Sequence, residues 1–309
     1  MNIAFLGTPE FAIPSLEACV DFGNVKLVVT QPDRKSGRGK KVKYSPVKKK
    51  ALDYDLEVYQ PEDIKKGDSI DYLKSLNLDL IVVVAYGQIL SKEILEIPKY
   101  GCINVHASLL PKLRGAAPIH WAIVRGYKKT GVTTMQMDEG LDTGDILLKE
   151  QIEIGPNMTV GKLHDSLKNI GKNVLFKTLN AIKENQLDPI EQNDKKSTYA
   201  PMLDKKMGEI DFAKSSQKIH DLVRGFNPWP TAYTYYKDKK MKVLKTKILD
   251  DYSDKESGII LKVTDKGIVV STKNKNILIK KIQFPNKRKM SVKDYINGNE
   301  IEESIKLGG

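Results

Sequence analysis

Residues 78–85 read Leu78-Asp79-Leu80-Ile81-Val82-Val83-Val84-Ala85, a nearly continuous apolar run. Such a run is typical of a parallel strand that is covered on both faces. Similar short runs occupy residues 2–6 and 25–30, and residues 9–22 and 68–76 have the apolar spacing of helices. Strands that alternate with helices predict an α/β fold built on a doubly wound, mostly parallel sheet.

The first turn of this sheet, Gly7-Thr8-Pro9-Glu10, differs from nucleotide-binding turns. It lacks the GxGxxG pattern and places Pro9 and Glu10 where a pyrophosphate would approach, so a bound dinucleotide is not expected. The chain also has no Walker A loop, so ATP is not expected either.

A second domain follows the α/β part. Residues 159–185 have the spacing of a long amphipathic helix, and the next residues have weak periodicity, clustered charges and two prolines. Short strands separated by turn residues then recur between 242 and 284, which predicts a small β-barrel. We therefore expect an α/β domain over residues 1–188, a linker over 189–207 and a barrel domain over 208–309.

The composition is that of a soluble globular protein, with 309 residues, of which 40% are hydrophobic and 29% charged. The longest apolar run, Leu80 to Tyr86, is too short to cross a bilayer, and no secretory leader pattern is present. Cys19 and Cys102 lie outside any CxxC pattern and fit a reducing compartment. These features predict a cytoplasmic protein without a membrane partner.

The net charge of +12 is unevenly distributed. Residues 189–309 hold 25 Lys and Arg against 16 Asp and Glu, net +9, whereas residues 1–188 hold 26 against 23, net +3. Residues 34–50 contain nine basic side chains and no acidic one, and Gly37 and Gly39 flank Arg38. This segment is expected to attract a polyanion. For the basic tail, a solvated lysine-rich surface is an equally open interpretation.

Residues 102–106 alternate as a short strand should, so Asn104 and His106 project from the same face. The loop that follows contains two prolines before a helix predicted to begin near Pro118. Polar groups at the end of such a strand lie where open α/β sheets place their sites.

Residues 137–147 hold four carboxylates and two glycines between apolar runs. Counted from Asp138, the twelfth position is Lys149 rather than the closing Glu of an EF-hand, and one histidine nearby is too few ligands for a hydrolytic metal. A hydrophilic turn is the ordinary interpretation. We favour Asp142 as a carboxylate that orients His106 and supports its positive form, and no metal is expected.

Four runs of sequence carry a resemblance to a known family: residues 2–11 (NIAFLGTPEF), 104–118 (NVHASLLPKLRGAAP), 137–147 (MDEGLDTGDIL) and 226–230 (FNPWP). Together they resemble the folate-dependent formyltransferases, and the likeness covers nearly the whole chain. Asn104, His106 and Asp142 match the catalytic triad of that family. The basic loop and the second domain resemble its tRNA-specific branch. Leu113 departs from the aromatic residue that this branch commonly has before Arg-Gly.

The resemblance implies a Rossmann-like formyltransferase domain followed by an OB-like barrel that binds tRNA. It makes 10-formyltetrahydrofolate the formyl donor, with no tightly bound cofactor, and the methionyl amine of initiator tRNA the acceptor, in a protein expected to be monomeric. The folate is then expected beside two loop segments, Ala85, Tyr86 and Gly87, and Ser108, Leu109, Leu110 and Pro111. The tRNA is expected to contact Arg34, Arg38, Lys40, Lys41 and Lys43.

Two alternatives remain open from the sequence. Another formyltransferase, acting on an amino sugar or glycinamide ribotide or hydrolysing formyltetrahydrofolate, would share the triad but would not need nine basic residues in one segment. A non-catalytic RNA-binding protein would use the basic barrel but would not need Asn104, His106 and Asp142 together. The aromatic run at residues 226–230 is interpreted as a rigid corner rather than an RNA contact.

Overall fold

The computed structural model describes residues 1–36 and 41–308 of the chain. The chain forms two compact units. The first comprises residues 1–118, 130–152 and 164–200, and the second comprises residues 119–129, 153–163 and 201–309. In the described ranges, no helix is both long enough and apolar enough to span a membrane.

Strands and helices alternate over the first part of the chain. The described strands up to residue 153 are β1 (Asn2–Gly7), β2 (Asn24–Val29), β3 (Arg34–Ser36), β4 (Lys41–Lys43), β5 (Val58–Tyr59), β6 (Leu80–Val84), β7 (Cys102–His106), β8 (Lys129–Gln136) and β9 (Ile146–Glu153). The described helices up to residue 183 are a 3₁₀ turn (Glu10–Ala12), α1 (Ile13–Phe22), α2 (Pro46–Asp53), α3 (Gly67–Ser75), α4 (Lys92–Leu95), α5 (Pro118–Val124) and α6 (Val160–Lys183).

The first unit is built on a seven-stranded sheet in the order β5-β2-β1-β6-β7-β8-β9. Strands β5, β2, β1, β6 and β7 run parallel, and β8 is antiparallel to β7. The chain adds strands on one side of β1 and then returns to its other side with β6. This reversal creates a switch point between β1 and β6, where open α/β sheets bind ligands at the carboxyl ends of the strands.

The apolar pattern of these strands explains why they occupy the centre of the sheet. All five residues of β6 are buried, and Leu6, Leu27, Ile81 and Val83 pack in one core cluster with Leu73 of α3. Burying such side chains contributes about 1.5–3 kcal/mol each and is the main favourable term in folding.

The strand predicted over residues 78–85 is shorter in the structure. Asp79 lies before β6 and accepts a hydrogen bond through Oδ2 from the Asn2 nitrogen at 2.6 Å. Ala85 ends the strand with a φ of +48°, a left-handed conformation that does not continue a strand. The apolar run therefore located the strand but did not determine its ends.

The C-terminal part of the chain forms an antiparallel sheet. Its described elements are α7 (Ser216–Gly225), β10 (Tyr233–Tyr236), β11 (Lys239–Tyr252), β12 (Ile260–Thr264), β13 (Gly267–Val270), β14 (Lys275–Gln283), β15 (Met290–Ser291) and α8 (Val292–Ile296). The strand order is β10-β11-β14-β13-β12, and β15 pairs with β14. Ile219 and Val223 of α7 share a buried cluster with Val243, Ile268 and Ile279 of the sheet. The predicted fold class, a mostly parallel α/β domain followed by a small β domain, is confirmed.

The segment predicted as a linker, residues 189–207, contains the short 3₁₀ helix Asp194–Lys196 and all but the last residue of another, Lys205–Gly208. Ile190 exchanges two backbone hydrogen bonds of 2.9 Å with Ile146. The part up to residue 200 belongs to the first compact unit, and the rest belongs to the second. The domain boundaries given above stay a prediction.

Candidate active site

Strand β7 presents Asn104 and His106 to the same carboxylate oxygen. Nδ2 of Asn104 donates to Oδ1 of Asp142 at 3.3 Å, and Nδ1 of His106 lies 3.6 Å from that oxygen. The two side chains therefore share one face of the strand, as the alternation of side chains predicts. His106 is the last residue of β7 and is 6% exposed. The three predicted catalytic residues thus form one cluster at the carboxyl end of a central strand.

Asp142 is held in place by the backbone of the loop opposite. Its Oδ2 accepts a hydrogen bond of 2.8 Å from the Gly115 nitrogen, which leaves Oδ1 for Asn104 and His106. The residue has a φ of +55°, a conformation that Asp tolerates better than most residues. Gly144, two residues later, has no room for a side chain, because an added Cβ would lie 1.8 Å from the Gln136 carbonyl oxygen. The carboxylate is therefore positioned by a tight turn.

His106 is oriented through its other ring nitrogen. Nε2 lies 3.0 Å from the carbonyl oxygen of Leu113. A carbonyl can only accept, so this contact requires the hydrogen to be on Nε2. In the neutral ring Nδ1, which faces Asp142, then carries no hydrogen and is free to accept one.

Leu113 has an unusual backbone conformation for its residue type. Its φ is +62°, in a region that costs roughly 1–2 kcal/mol for an L-residue with a side chain, and its side chain is 1% exposed. The contact with His106 uses the carbonyl oxygen of Leu113. The departure from the family's aromatic residue at this position therefore does not remove a group from the cluster.

The cluster offers a hydrogen-bond donor and a proton-transfer pair. An amide NH₂ has two hydrogens, so Asn104 can donate one to Asp142 and direct the other at a reacting oxygen. Nδ1 of His106 beside the carboxylate can take up a proton that Asp142 then stabilises. In residues 1–36 and 41–308, no group of three or more His, Cys, Asp and Glu side chains is arranged to hold a metal ion.

The predicted folate segment after β6 lies at the switch point of the sheet. Ala85 and Gly87 are exposed, with φ values of +48° and +93°, and the side chain of Tyr86 is buried. Thr8, at the end of β1, donates through Oγ1 to the Tyr86 carbonyl oxygen at 2.9 Å. Burial raises the pKa of the Tyr86 hydroxyl well above its usual value. Because the Tyr86 side chain is buried, any ligand contact from this residue would involve its backbone.

The second predicted folate segment follows β7. Ser108 and Leu110 are buried, whereas Leu109 and Pro111 are partly exposed. Ser108 donates through Oγ to the Lys112 carbonyl oxygen at 2.6 Å, so its hydroxyl is used within the loop. Within this segment, only Leu109 and Pro111 therefore have side chains that a ligand can reach.

Comparison with known proteins assigns the family. A family model for formyl transferase matches residues 1–179, and one for the formyl transferase C-terminal domain matches residues 202–300. The methionyl-tRNA formyltransferase of Clostridioides difficile (strain 630) is 55% identical over 309 residues, covering 100% of both chains. That of Clostridium novyi (strain NT) is 54% identical over 307 residues, covering 99% of each. The chain belongs to the methionyl-tRNA formyltransferase family.

The fold is shared more widely than the sequence of the methionyl-tRNA formyltransferase family. The solved structure of WlaRD, a sugar 3N-formyl transferase, matches with a TM-score of 0.69 at 20% identity, covering 93% of this chain and 99% of that one. At this identity the match shows the fold alone. The resemblance to the tRNA-specific branch is confirmed by the relatives that are more than 50% identical.

Three of the predicted tRNA contacts of this formyltransferase, Arg34, Lys41 and Lys43, lie on the β3–β4 hairpin. Strands β3 and β4 are antiparallel, and Arg34 lies directly opposite Lys43. Both residues are exposed. Like charges at facing positions destabilise a strand pair, so an anion bound there would stabilise it. Lys41 pairs with Ser36 through the backbone, whereas Arg38 and Lys40 lie outside the described residues.

Not every basic side chain of residues 34–50 is available to a partner. Lys48 lies 2.5 Å from Oδ2 of Asp33 and also bonds Gln60, and Lys50 lies 3.0 Å from Oε1 of Glu17. Both lysines are among the nine basic side chains that were expected to attract a polyanion. The structure pairs them within the protein, so their contribution to that attraction is smaller.

Three residues beside the site of this formyltransferase were not among the predicted site residues. Gln192 and Arg114 are buried and hydrogen-bonded to each other, and Thr198 accepts from the Leu113 nitrogen at 2.9 Å. Gln192 and Thr198 come from the charged segment that was predicted as a linker. No local pattern marks them, because their partners lie 48 to 87 residues away in the chain.

Proposed function

We propose that this formyltransferase transfers the formyl group of 10-formyltetrahydrofolate to the free amino group of methionyl-initiator tRNA. The product is N-formylmethionyl-tRNA for translation initiation. The observation that carries the proposal is the convergence of Asn104 and His106 on Oδ1 of Asp142, in a chain 55% identical to a methionyl-tRNA formyltransferase. This cluster supplies the groups that formyl transfer to an amine requires.

The reaction needs an oxyanion donor and a route for one proton. The methionyl amine attacks the formyl carbon, which forms a new C–N bond and a tetrahedral intermediate with a negative oxygen. The bond to the folate nitrogen then breaks, and that nitrogen gains a proton while the amine loses one. The second Asn104 amide hydrogen is the donor that we assign to the oxyanion, a role worth roughly a hundredfold to a thousandfold in rate.

His106 and Asp142 are assigned to proton transfer. Nδ1 of His106 lies 3.6 Å from Oδ1 of Asp142, so a proton taken from the attacking amine would be stabilised by the carboxylate. The same proton can then be delivered to the leaving folate nitrogen. The fixed contact of Nε2 with the Leu113 carbonyl keeps the ring from turning away from this task.

The donor is assigned to the switch point. Ala85 and Gly87 expose backbone groups there, and the partly exposed Leu109 and Pro111 form a second wall. Backbone N–H and C=O groups can pair with the edge of a flat heterocycle such as the pterin. The donor would bind as an exchangeable substrate rather than a resident cofactor, which gel filtration of a folate-loaded sample can test.

The acceptor is assigned to the basic hairpin. Arg34, Arg38, Lys40, Lys41 and Lys43 would contact phosphates of the tRNA acceptor arm, a sequence-independent interaction that depends on salt. The excess of nine positive charges after residue 188 would add attraction for the same polyanion. Both substrates occur in the cytoplasm, and we expect the protein to act there as a monomer.

A direct assay tests the proposal. The purified full chain is incubated with 10-formyltetrahydrofolate and methionyl-tRNA, and in parallel with amino sugar nucleotides and glycinamide ribotide. We expect formylation of methionyl-tRNA to exceed that of the small amines by orders of magnitude in kcat/KM. Efficient formylation of an amino sugar, or donor hydrolysis that methionyl-tRNA does not redirect, would contradict the assignment of the acceptor.

A further inference from the structure

We infer that Gln192 is a positioning residue for formyl transfer, because its side-chain amide holds the turn that carries Asp142. The inference rests on the proposed function, since it concerns the reaction that Asp142 supports. Gln192 acts from residues 192–200, which we call the clamp segment. It lies in the stretch that sequence patterns assigned to a linker.

One end of the Gln192 side chain holds the Asp142 turn by its backbone. Nε2 donates to the carbonyl oxygen of Asp142 at 2.9 Å and to that of Gly144 at 2.7 Å. The residue is 7% exposed, so solvent does not readily replace these bonds. Both amide hydrogens are therefore committed to the turn in which Asp142 has its left-handed conformation.

The other end of the side chain is tied to the opposite wall of the site. Oε1 accepts from Arg114 through Nε at 3.1 Å and Nη2 at 2.9 Å. Arg114 directly precedes Gly115, whose nitrogen donates to Oδ2 of Asp142. Gln192 holds the Asp142 backbone directly, and through Arg114 it is linked to Gly115, which holds the Asp142 carboxylate. These contacts together form a closed ring of hydrogen bonds.

The clamp segment also fixes the group that orients His106. Thr198 accepts from the Leu113 nitrogen through Oγ1 and from the Arg114 nitrogen through its carbonyl oxygen, both at 2.9 Å. Ala200 donates to the Arg114 carbonyl oxygen at 2.7 Å. Leu113 in turn presents its carbonyl oxygen to His106. Both partners of the imidazole therefore depend on the same short segment.

The chemistry of the ring explains why glutamine is suited to this position. The site requires two donors at one end and an acceptor at the other. Glutamate supplies the acceptor but no donors when ionised, and alanine supplies neither. Loss of the donors would let the Asp142 turn relax, and a displacement of about 1 Å in a reacting group costs on the order of a hundredfold in rate.

The test compares Gln192→Ala and Gln192→Glu with the wild-type full chain, measuring kcat and KM for both substrates and thermal unfolding. We expect both variants to lower kcat by about tenfold or more, with both KM values within about twofold of wild type. Gln192→Glu keeps the acceptor for Arg114, so the decrease of kcat in this variant measures the effect of losing the two amide hydrogens alone.

The matched control is Thr178→Val. Thr178 is buried in the same unit and bonds Thr134 at 2.8 Å and the Val174 carbonyl oxygen at 2.8 Å. The variant loses buried hydrogen bonds without touching the clamp segment. We expect it to reduce the thermal stability while kcat stays at the wild-type value.

A double-mutant cycle separates positioning from general stability. If Gln192 acts through Asp142, Gln192→Ala has no further effect on the single-turnover rate of an Asp142→Ala variant. A merely structural role would lower that rate by the same factor in both backgrounds, and this outcome would overturn the inference. Wild-type kcat in either Gln192 variant would overturn it as well.

If the Gln192 variants do not fold, a second pair of variants tests the positioning role of the clamp segment. Thr198→Val removes the hydroxyl acceptor for the Leu113 nitrogen, and Thr198→Ser retains it. We expect the valine variant to lose about tenfold in kcat and the serine variant to recover most of it. Equal rates in the two would contradict the inference. Failure of the wild-type protein to formylate methionyl-tRNA would instead refute the proposed function.

Discussion

The Asn104, His106 and Asp142 cluster and the basic β3–β4 hairpin are organised in opposite ways. In the cluster, every side chain has defined partners within hydrogen-bond range or close to it, and His106 is buried. On the hairpin, Arg34 and Lys43 are exposed and face each other as like charges. Chemistry on a formyl carbon requires fixed atoms, whereas attraction to phosphates requires only charge near the surface. Loss of any single residue of the cluster is therefore expected to lower turnover sharply. Loss of single charges from the hairpin is expected to weaken the use of tRNA step by step.

The largest effect is expected from the cluster itself. Asn104→Ala, His106→Ala and Asp142→Ala should each lower turnover by at least about a hundredfold, because each removes a group that we assign to stabilising the transition state. The affinity for tRNA should stay near the wild-type value, since none of the three lies on the hairpin. Steady-state kinetics and a filter-binding titration measure the two quantities. Near-normal turnover in a folded His106→Ala variant would remove the proton-transfer role from His106.

A smaller and graded effect is expected from the hairpin. Replacing Arg34, Arg38, Lys40, Lys41 or Lys43 by Gln should lower kcat/KM for methionyl-tRNA several-fold each, with Arg38 expected to have the largest single effect. Each lost phosphate contact should also reduce the slope of log affinity against log salt by about 0.7–0.9. Measurements at several salt concentrations test this, with kcat at saturating tRNA expected to remain close to wild type.

Lys50 provides the control for the hairpin. It belongs to the same basic segment, but its ammonium group lies 3.0 Å from the Glu17 carboxylate, so its charge is already balanced within the protein. Lys50→Gln should change the salt slope less than Arg34→Gln does. If both variants, and Arg38→Gln, left the efficiency on tRNA unchanged at every salt concentration, the segment would be a solvated run of charge.

The smallest effect on chemistry is expected from a buried histidine of the second unit. His220 contacts Thr246 Oγ1 at 2.9 Å and the Pro156 carbonyl oxygen at 3.1 Å, and burial lowers its pKa below 6.5. Because the folded pKa lies below the unfolded one, the stability that this residue contributes is complete above pH 6.5. It is lost as the pH falls through the folded pKa, by at most about 1.4 kcal/mol per pH unit for one proton.

Unfolding in denaturant at several pH values measures this dependence. His220→Gln should remove it from the free energy of unfolding, while the rate of formyl transfer at neutral pH remains within about twofold of wild type. An unchanged acid dependence in that variant would show that other groups dominate the acid sensitivity. In that case His220 would contribute neither to formyl transfer nor to the pH dependence of the free energy of unfolding.

Much of the fold was predictable because apolar periodicity is a local property. The continuous apolar run before Ala85 identified β6, and helical spacing identified α6 to within a few residues. The ends of the elements were less predictable, since they depend on single backbone conformations such as the φ of +48° at Ala85. The short strands of the β3–β4 hairpin were missed, because basic residues fill most of their positions and leave no visible alternation of polar and apolar side chains.

The candidate site was predictable where a short strand places residues by itself. Residues two apart on a strand share a face, so the pairing of Asn104 with His106 follows from the sequence alone. Asp142 was a candidate because its residue type and glycine-rich surroundings suit that chemistry, and because it matches the catalytic triad of the family that the sequence resembles. Its distances of 3.3 and 3.6 Å from the other two residues depend on how two loops fold against each other.

The sequence by itself determined the alternation of strands and helices that defines the fold class, the pair of residues on β7 and the location of the charge. Only the tertiary structure decided which polar groups hold the site and which charges are neutralised. Gln192 reaches the Asp142 turn across 50 residues, and Lys48 and Lys50 form ion pairs with Asp33 and Glu17. Such contacts carry no periodic signal, because they depend on turn conformations that side chains far apart in the chain set together.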